Sequence, residues 1–194
     1  MEFASPPAPS VTLDRRDDGS IILRSGLPLG PVPKSLAHVF DEQAGRTPDA
    51  IFMRQRGANG AWRSISYGDA RRAADGLAQW LIDRGIGVGD IISFLSEPSI
   101  EHGIAAVGVQ RSGAAIAPVS VAYSLMSRDH VQLRQCVSVV GAKVVIVDDA
   151  ARYAAALRAL APLGVTIVAA SGTVEGLSIR SEEHTSELQS PYVI

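Results

Sequence analysis

The sequence predicts an α/β fold with an open, mostly parallel sheet, flanking helices and an N-terminal hairpin. From residue 91 onward, short apolar segments alternate with segments in which apolar residues recur at helical spacing. The short segments are apolar throughout, which is typical of parallel strands covered on both faces. Strands that alternate with helices join into open sheets through right-handed crossovers. With 194 residues, 46% of them hydrophobic and 20% charged, the chain has an ordinary globular composition.

The N-terminal residues predict an arm, a hairpin, a connector and a short helix. Small residues and prolines make 1–10 a predicted disordered arm. The turn signal Asp17-Asp18-Gly19 predicts a pair of strands within 11–23, and prolines indicate a connector at 27–33. Ser35 is a candidate N-cap for the helix. The predicted apolar face of this helix consists of Leu36, Val39 and Phe40.

A second hairpin and a longer helix are predicted to follow. Residues 51–56 and 61–66 flank a glycine-rich turn, which favours a hairpin. Ser66 is a candidate N-cap with Asp69 as its acidic partner, and Gly85 ends the helical pattern. The apolar residues at helical spacing are Ala70, Ala73, Ala74, Leu77, Trp80 and Leu81.

The rest of the chain alternates between strands and helices. The predicted strands are 91–95, 115–119, 144–147 and 165–169. The predicted helices are 100–111, 127–140 and 150–160. The small residues at 112–115 would allow a helix end to lie close to a buried strand.

The charge and the cysteine content indicate which partners and which cellular compartment the protein suits. A net charge of −2 does not favour binding to nucleic acid, and charged residues interrupt every apolar segment long enough to span a membrane. Cys136 is the single cysteine, which is compatible with a reducing compartment, so we expect a cytoplasmic protein. Its apolar helical surroundings favour a small buried side chain over a nucleophile.

Two glycine-containing segments look like phosphate loops but lie in the wrong context. Residues 85–89 follow a helix and precede a strand, whereas a dinucleotide loop follows a strand and precedes a helix. Ser171-Gly172-Thr173 does follow a strand, but Val174-Glu175-Gly176 comes next without a lysine. Its glutamate would repel phosphate, so we interpret the segment as an ordinary turn. The chain has no Walker-type loop, and its two lysines, Lys34 and Lys143, lie far from either segment.

The histidines do not predict a metal site. His38, His102 and His130 lie far apart on predicted helices, without the carboxylate or cysteine spacing that binds metals. The pair Glu101-His102 stands out because it begins a helix at the carboxyl end of a strand, the edge where α/β sheets bind ligands. The helix dipole alone explains Glu101. The residue types and their spacing therefore identify no catalytic, cofactor-binding or metal-binding residue.

Several short motifs occur in a fixed order: Trp62-Arg63, Ser66-Tyr67, the small-residue turn and strand at 110–120, and Ala122-Tyr123-Ser124-Leu125. Together they resemble the motifs of adenylate-forming (AMP-binding) acyl- and aryl-CoA synthetases, most closely the feruloyl-CoA synthetase type. Val121 departs from the pattern, because relatives often have proline there. The likeness runs through most of 18–148.

The resemblance implies an ATP-dependent ligase that adenylates a small carboxylic acid and then transfers it to coenzyme A. ATP, Mg²⁺ and coenzyme A would be required by the full-length parent. The family's phosphate loop and late-chain lysine would lie beyond residue 179, so none of its catalytic residues maps onto this sequence. We therefore expect this chain, taken alone, to be an inactive N-terminal fragment of the ligase.

The C-terminal residues break the pattern of the preceding fold. The segment RSEEHTSELQS at 180–190 has no apolar period, and it resembles the translation of a sequencing-library adapter. The predicted organisation is a disordered arm at 1–10, a partial adenylation domain at 11–179 and a non-native tail at 180–194.

Two alternative functions, from other classes of protein, stay open. The chain could be a stand-alone, non-catalytic α/β binding module, which a cooperatively melting monomer would favour. A Rossmann-like redox domain is a weaker alternative, because the glycine segment at 85–89 is misplaced and no suitable acidic partner follows it.

Overall fold

The N-terminal residues form an antiparallel hairpin. The computed structural model describes residues 8–57 and 59–181, and the chain divides into two units, Met1–Lys34 and Ser35–Ile194. In the first unit, β1 (Val11–Arg15) pairs with β2 (Ile21–Ser25) around Gly19, whose φ of 83° is one that glycine adopts without strain. The predicted N-terminal hairpin is therefore confirmed, while the predicted arm at 1–10 falls largely outside the described residues.

The second unit contains the predicted alternation of strands and helices. Its α-helices are α1 (Leu36–Arg46), α2 (Tyr67–Ile82), α3 (Ile100–Ser112), α4 (Val131–Val140) and α5 (Ala154–Leu160). A π-helical turn (Ala122–Met126) and a 3-10 turn (Ala161–Leu163) complete the helical segments of the described residues. Its strands are β3 (Ile51–Arg56), β4 (Trp62–Ser66), β5 (Ile91–Leu95), β6 (Ala115–Pro118), β7 (Val144–Asp149), β8 (Thr166–Ser171) and β9 (Ile179–Ser181).

Five strands form one parallel sheet in the order β6-β5-β7-β8-β9. Successive side chains of a strand point to opposite faces. Ile92 and Phe94 of β5 therefore face one layer of helices, while Leu95 faces the other. Apolar packing on both faces explains why these strands have uninterrupted apolar sequences, and the predicted open parallel α/β fold is confirmed.

Two helical layers cover the sheet. On one face, α2 and α3 pack Leu77, Leu81 and Val109 against the strands. On the other face, α4 and α5 contribute Leu133, Val137, Leu157 and Leu160. This three-layer arrangement buries Tyr153 completely, although its hydroxyl has no hydrogen-bond partner among the residues that the structure describes. Burial raises the pKa of Tyr153 to about 12.

The short helix α1 packs differently from the prediction. Phe40 and Ala44 are buried, with Phe40 against the ring of Phe52 in β3 at 5.0 Å between centroids. Leu36 is 72% exposed and Val39 is 41% exposed, so the predicted apolar face is wrong in these two residues. The buried face of α1 packs against α2 and α3, with the β3–β4 hairpin beside them, and sequence spacing cannot place these neighbours. The predicted pairing of β3 with β4 itself is confirmed.

Two helices begin four residues later than predicted. Ser127 Oγ accepts a hydrogen bond from the N–H of His130, which has a left-handed φ of 54°, and α4 begins only after it. Asp149 Oδ1 likewise accepts from the N–H of Ala151 at 2.9 Å and of Arg152, so α5 begins at Ala154. Serine and aspartate side chains that bind nearby backbone amides compete with the first helical turn.

A short strand extends the sheet at the C-terminal end of the described residues. β9 pairs in parallel with β8, and Ile179 lies opposite Ile167. No strand was predicted there, and the expected boundary at 179/180 falls inside it. The proposed tail, apart from its first two residues, lies outside the described residues, so its non-native origin stays a prediction. Within 8–57 and 59–181, no helix combines the length and apolarity needed to cross a membrane.

Candidate functional site

A small crevice lies at the carboxyl edge of the parallel sheet. The ends of β5, β7 and β8 meet there, and the crevice is lined by Ser96, Asp148 and Ala170 together with Glu101 and His102 at the start of α3. Its volume of about 10 Å³ leaves room for roughly one water molecule. The prediction that Glu101-His102 begins a helix at this edge is confirmed.

His102 is held in the crevice from several sides. Its backbone N–H donates to Ser99 Oγ, the N-cap of α3, at 3.0 Å. Its ring packs beside Phe94 with 5.1 Å between centroids, and Nδ1 shares a hydrogen bond with Ser96 Oγ at 2.5 Å. Burial lowers the pKa of His102, and the negative charge of Asp148 opposes this shift. The imidazole is therefore mainly neutral at pH 7, and its tautomer decides whether Nδ1 donates to Ser96 Oγ or accepts from it.

We expect the stability of the chain to fall as the pH drops below the ordinary histidine pKa of 6.5. The unfolded chain takes up a proton on His102 near that pH, whereas the folded chain does so only at lower pH. Between the two pKa values the unfolded state binds more protons, so acid favours unfolding, and the effect levels off below the folded pKa. Urea unfolding at a series of pH values from 7.5 to about 5 measures this slope.

His102→Gln provides the control, because glutamine keeps a polar group at this position but does not titrate. The variant is expected to show a shallower loss of stability over the same pH range. An unchanged slope in the variant would mean that another group titrates, and His102 would then not have the lowered pKa described above.

Glu101 ties the β3–β4 hairpin to the start of α3. Its carboxylate lies 2.5 Å from Arg63 Nη2 of β4, and only 15% of its side chain is exposed. Gln55 Oε1 of β3 accepts from both Arg63 Nη2 and the N–H of Ile100, each at 3.0 Å. The helix dipole, which was the sequence-based explanation for Glu101, is therefore supplemented by a specific ion pair. Sequence reasoning missed Arg63 and Gln55, which lie 38 and 45 residues away from their partners.

Two further carboxylates, of Glu97 and Asp149, directly follow crevice-lining residues in the sequence. Glu97 pairs with Arg152 at 2.6 Å, and a hydrogen bond from Arg152 lowers the pKa of Glu97. A Cβ added to Gly172 would lie 2.7 Å from Asp149 Oδ1, so the Asp149 carboxylate occupies the space beside the turn at 171–173. Polar residues directly after the predicted apolar segments at 91–95 and 144–147 are the sequence signal that could have identified Ser96, Asp148 and Asp149.

The other sequence candidates do not join this site. His38 lies on α1 and pairs with Glu42, while His130 is buried before α4. No group of three or more histidine, cysteine or acidic residues within the described ranges could bind a metal. Cys136 is half-buried on α4, whereas a buried side chain was expected. Residues 85–89 form the turn between α2 and β5, as predicted, with positive φ at Gly85 and Gly89.

Comparison with known protein families identifies the chain. Residues 40–192 match the family described as AMP-binding enzyme, which is most of the sequence. The chain belongs to the AMP-binding enzyme family. The chain is also 32% identical over 99 residues to tyrocidine synthase 1 from Brevibacillus parabrevis, and 33% identical over 93 residues to surfactin synthase subunit 1 from Bacillus subtilis (strain 168). The matched segments are 51% and 48% of this chain, but 8% and 2% of those proteins.

Solved structures agree with the AMP-binding enzyme fold. The N-terminal subdomain of Klebsiella oxytoca NpsA, in complex with 3-hydroxyanthranilyl-AMSN, has a TM-score of 0.54 and 21% identity, covering 81% of this chain and 33% of that one. The acyl-CoA synthetase of Brucella canis has a TM-score of 0.58 and 19% identity, covering 73% of this chain and 25% of that one. At this identity the likeness establishes the shared fold.

The described part of this family member does not form a phosphate clamp. Nucleotide phosphates need basic groups, backbone amides in an open loop, or a metal. At the carboxyl edge, Arg152 and Arg63 are paired with acidic residues, and Asp149 fills the side of the turn at 171–173. Lys143 pairs with Asp90 at 2.6 Å, before the amino end of β7. These residues do not fit the triphosphate of ATP or its magnesium ion.

Proposed function

We propose that the chain is part of an ATP-dependent ligase that joins a carboxylic acid to a thiol. Membership of the AMP-binding enzyme family over 40–192 is the observation that carries this proposal. A carboxylate oxygen attacks the α-phosphorus of ATP and displaces pyrophosphate, giving an acyl-adenylate. A thiolate then attacks the acyl carbon and expels AMP, giving a thioester. The first step makes the carboxylate a better electrophile for the second.

The acid we propose is aromatic, such as ferulate or a related hydroxycinnamate, and the thiol is coenzyme A. The support is the motif at Ala117-Pro118-Val119-Ser120 and Ala122-Tyr123-Ser124-Leu125, which resembles aryl-CoA synthetases. The ligase would use ATP with Mg²⁺, and we propose a cytoplasmic location.

Within such a ligase, residues 35–181 would supply a folded sheet rather than the phosphate-binding groups. The whole sequence has only Lys34 and Lys143 as lysines, and neither lies in a loop after a parallel strand. We therefore propose that the 194-residue chain alone does not form the adenylate.

A second candidate is a region of a peptide synthetase that activates an acid and passes it to a carrier-bound thiol. The support is the identity of about a third to tyrocidine synthase 1 and to the nonribosomal peptide synthetase sirP of Leptosphaeria maculans, each over about half of this chain. The two candidates share the adenylation step and differ in the acid and in the thiol acceptor. A non-catalytic binding module remains the alternative if no adenylation occurs.

ATP–pyrophosphate exchange tests the shared step. The source DNA is first sequenced across codon 180, and the protein encoded by that locus is expressed beside the 194-residue chain. Ferulate, cinnamate, benzoate and a panel of amino acids serve as acids. Exchange with ferulate by the locus-encoded protein, and none by the 194-residue chain, is expected.

The outcomes separate the candidates. Thioester formation with coenzyme A supports the aryl-CoA ligase, whereas exchange with amino acids alone supports the peptide-synthetase candidate. Exchange by the 194-residue chain would refute its proposed inactivity. If the genome encodes the same tail followed by a stop codon, and neither acid class supports exchange, the non-catalytic module becomes the preferred function.

A further inference from the structure

A second opening lies on the other side of the sheet from His102. It is a groove of about 460 Å³ between α4 and the β5–β6 pair, and we call it the β6–α4 groove. Ser93 lies at its base, paired in register with Ala117 of β6. Because Phe94 faces α3, its neighbour Ser93 faces the α4 layer, so the groove and the crevice at His102 are separate.

Small side chains in one row of the sheet create the β6–α4 groove. Across the strands, Ala117, Ser93, Val145 and Ile167 lie side by side in register. The larger Val145 and Ile167 belong to the core beneath α4 and α5. The smaller Ala117 and Ser93 do not fill the equivalent space, and the volume is within the usual range for small-molecule sites, roughly 300–1,000 Å³.

Ser93 brings an unsatisfied polar group to this groove. The residue is fully buried, and its Oγ has no hydrogen-bond partner in the described part of the chain. A buried hydroxyl is normally hydrogen-bonded, so an exception that lines an open groove indicates a position for a ligand's polar group. Ser93 is also the one polar residue in the five-residue strand β5, whose other members are apolar.

The side chains around Ser93 define the chemistry of a ligand. Those that line the β6–α4 groove in the described structure carry no charge, so a carboxylate or an ammonium group would enter without a counter-ion. Tyr123 provides a flat apolar surface, and the amides of Gln132 and Gln135 provide polar groups at the exposed side. We propose that the β6–α4 groove binds a small uncharged aromatic compound whose hydroxyl group hydrogen-bonds to Ser93 Oγ.

A protein strand is a poorer occupant of the same groove. β6 is an edge strand, and the N–H groups of Ala115 and Val119 donate inward to β5 and the residue before it. Backbone N–H groups alternate in direction along a strand, so positions 116 and 118 are the ones that would donate away from β5. Pro118 has no N–H, which leaves only that of Ile116. A strand added along this edge would find a single amide donor within β6.

Cys136 allows the proposal to be tested directly, because it lines the groove and is the only cysteine in the chain. The 194-residue chain is treated with N-ethylmaleimide, and the labelling rate is followed by intact mass. The probe is 2-naphthol, an uncharged aromatic alcohol, and 2-naphthoate is its charged counterpart. Saturating 2-naphthol is expected to slow labelling by about tenfold or more, while 2-naphthoate has little effect.

Three variants report on the site. Ser93→Ala is expected to raise the 2-naphthol concentration for half-protection by about tenfold, because one buried hydrogen bond is lost. Ala117→Leu fills the space beside Ser93 and is expected to abolish protection. Ser138→Ala changes an exposed serine of the same helix that does not line the groove, and it should leave protection unchanged.

Several results would overturn the proposal. Equal protection by 2-naphthoate would show that the groove does not select uncharged compounds. Unchanged protection in Ser93→Ala would remove the role of its hydroxyl, and no protection up to the solubility limit of 2-naphthol would remove the site. Labelling that slows as the protein concentration rises, without any ligand, would mean that a second copy of the chain covers the groove. None of these readouts depends on adenylation activity.

Discussion

Gly108→Val is expected to lower the free energy of unfolding by about 3 kcal/mol, through overpacking of α2 against α3. Gly108 is buried where these two helices meet. A Cβ at this position would lie 2.9 Å from the backbone oxygen of Ala74 and 3.1 Å from Leu77 Cβ. A backbone atom cannot move aside as the end of a side chain can, so the helices must separate. Urea unfolding followed by circular dichroism measures the change.

Gly76→Ala is the matched control, because Gly76 lies within α2 and no atom is within 4 Å of its added Cβ. Alanine favours the helix over glycine, so this variant should be more stable than the parent by about 0.5–1 kcal/mol. If Gly108→Val unfolds at the same urea concentration as the parent, α2 and α3 do not approach each other as closely as described.

Phe94→Ala is expected to lower the free energy of unfolding by about 3–5 kcal/mol and to release the burial of His102. Phe94 is 1% exposed, belongs to the core beneath α2 and α3, and packs against the ring of His102. Without the phenyl ring, water reaches the imidazole, so the pKa of His102 should rise toward 6.5. Urea unfolding measures the first effect, and NMR titration of the histidine ring measures the second.

Phe52→Ala controls for the general loss of an aromatic ring. Phe52 is half-buried and packs against Phe40 and Tyr67, away from the crevice. Its removal should cost less stability and leave the titration of His102 unchanged. If the pKa of His102 moves equally in both variants, the shift reflects a general loosening of the fold. If it moves in neither, Phe94 does not shield the histidine.

The strands and the family were readable in the sequence because both depend on local patterns. Continuous apolar residues in β5 and β7 predict strands buried on both faces, and that burial is observed. The beginnings of α4 and α5 were less predictable, because the side chains of Ser127 and Asp149 bind backbone amides that a helical pattern assigns to the first turn. The spacing of apolar residues along the sequence does not reveal this competition for backbone amides.

The candidate site was only partly predictable, because its contacts join residues that are distant in sequence. Position at the carboxyl end of a strand was enough to identify Glu101 and His102. It could not reveal that Arg63 neutralises Glu101, or that Arg111 contacts Asp41 across 70 residues. The β6–α4 groove was also invisible, because it depends on strand register and on how far α4 extends over the sheet.

Sequence alone therefore determined the order of the elements, the parallel character of the sheet and the resemblance to AMP-binding enzymes. Each follows from periodicity or from short motifs, which depend only on residues that are close together in the sequence. Only the tertiary structure decided which face of α1 is buried, how His102 becomes neutral and why Ser93 lacks a partner. These depend on packing and desolvation by groups far away along the chain, and local patterns carry no information about such neighbours.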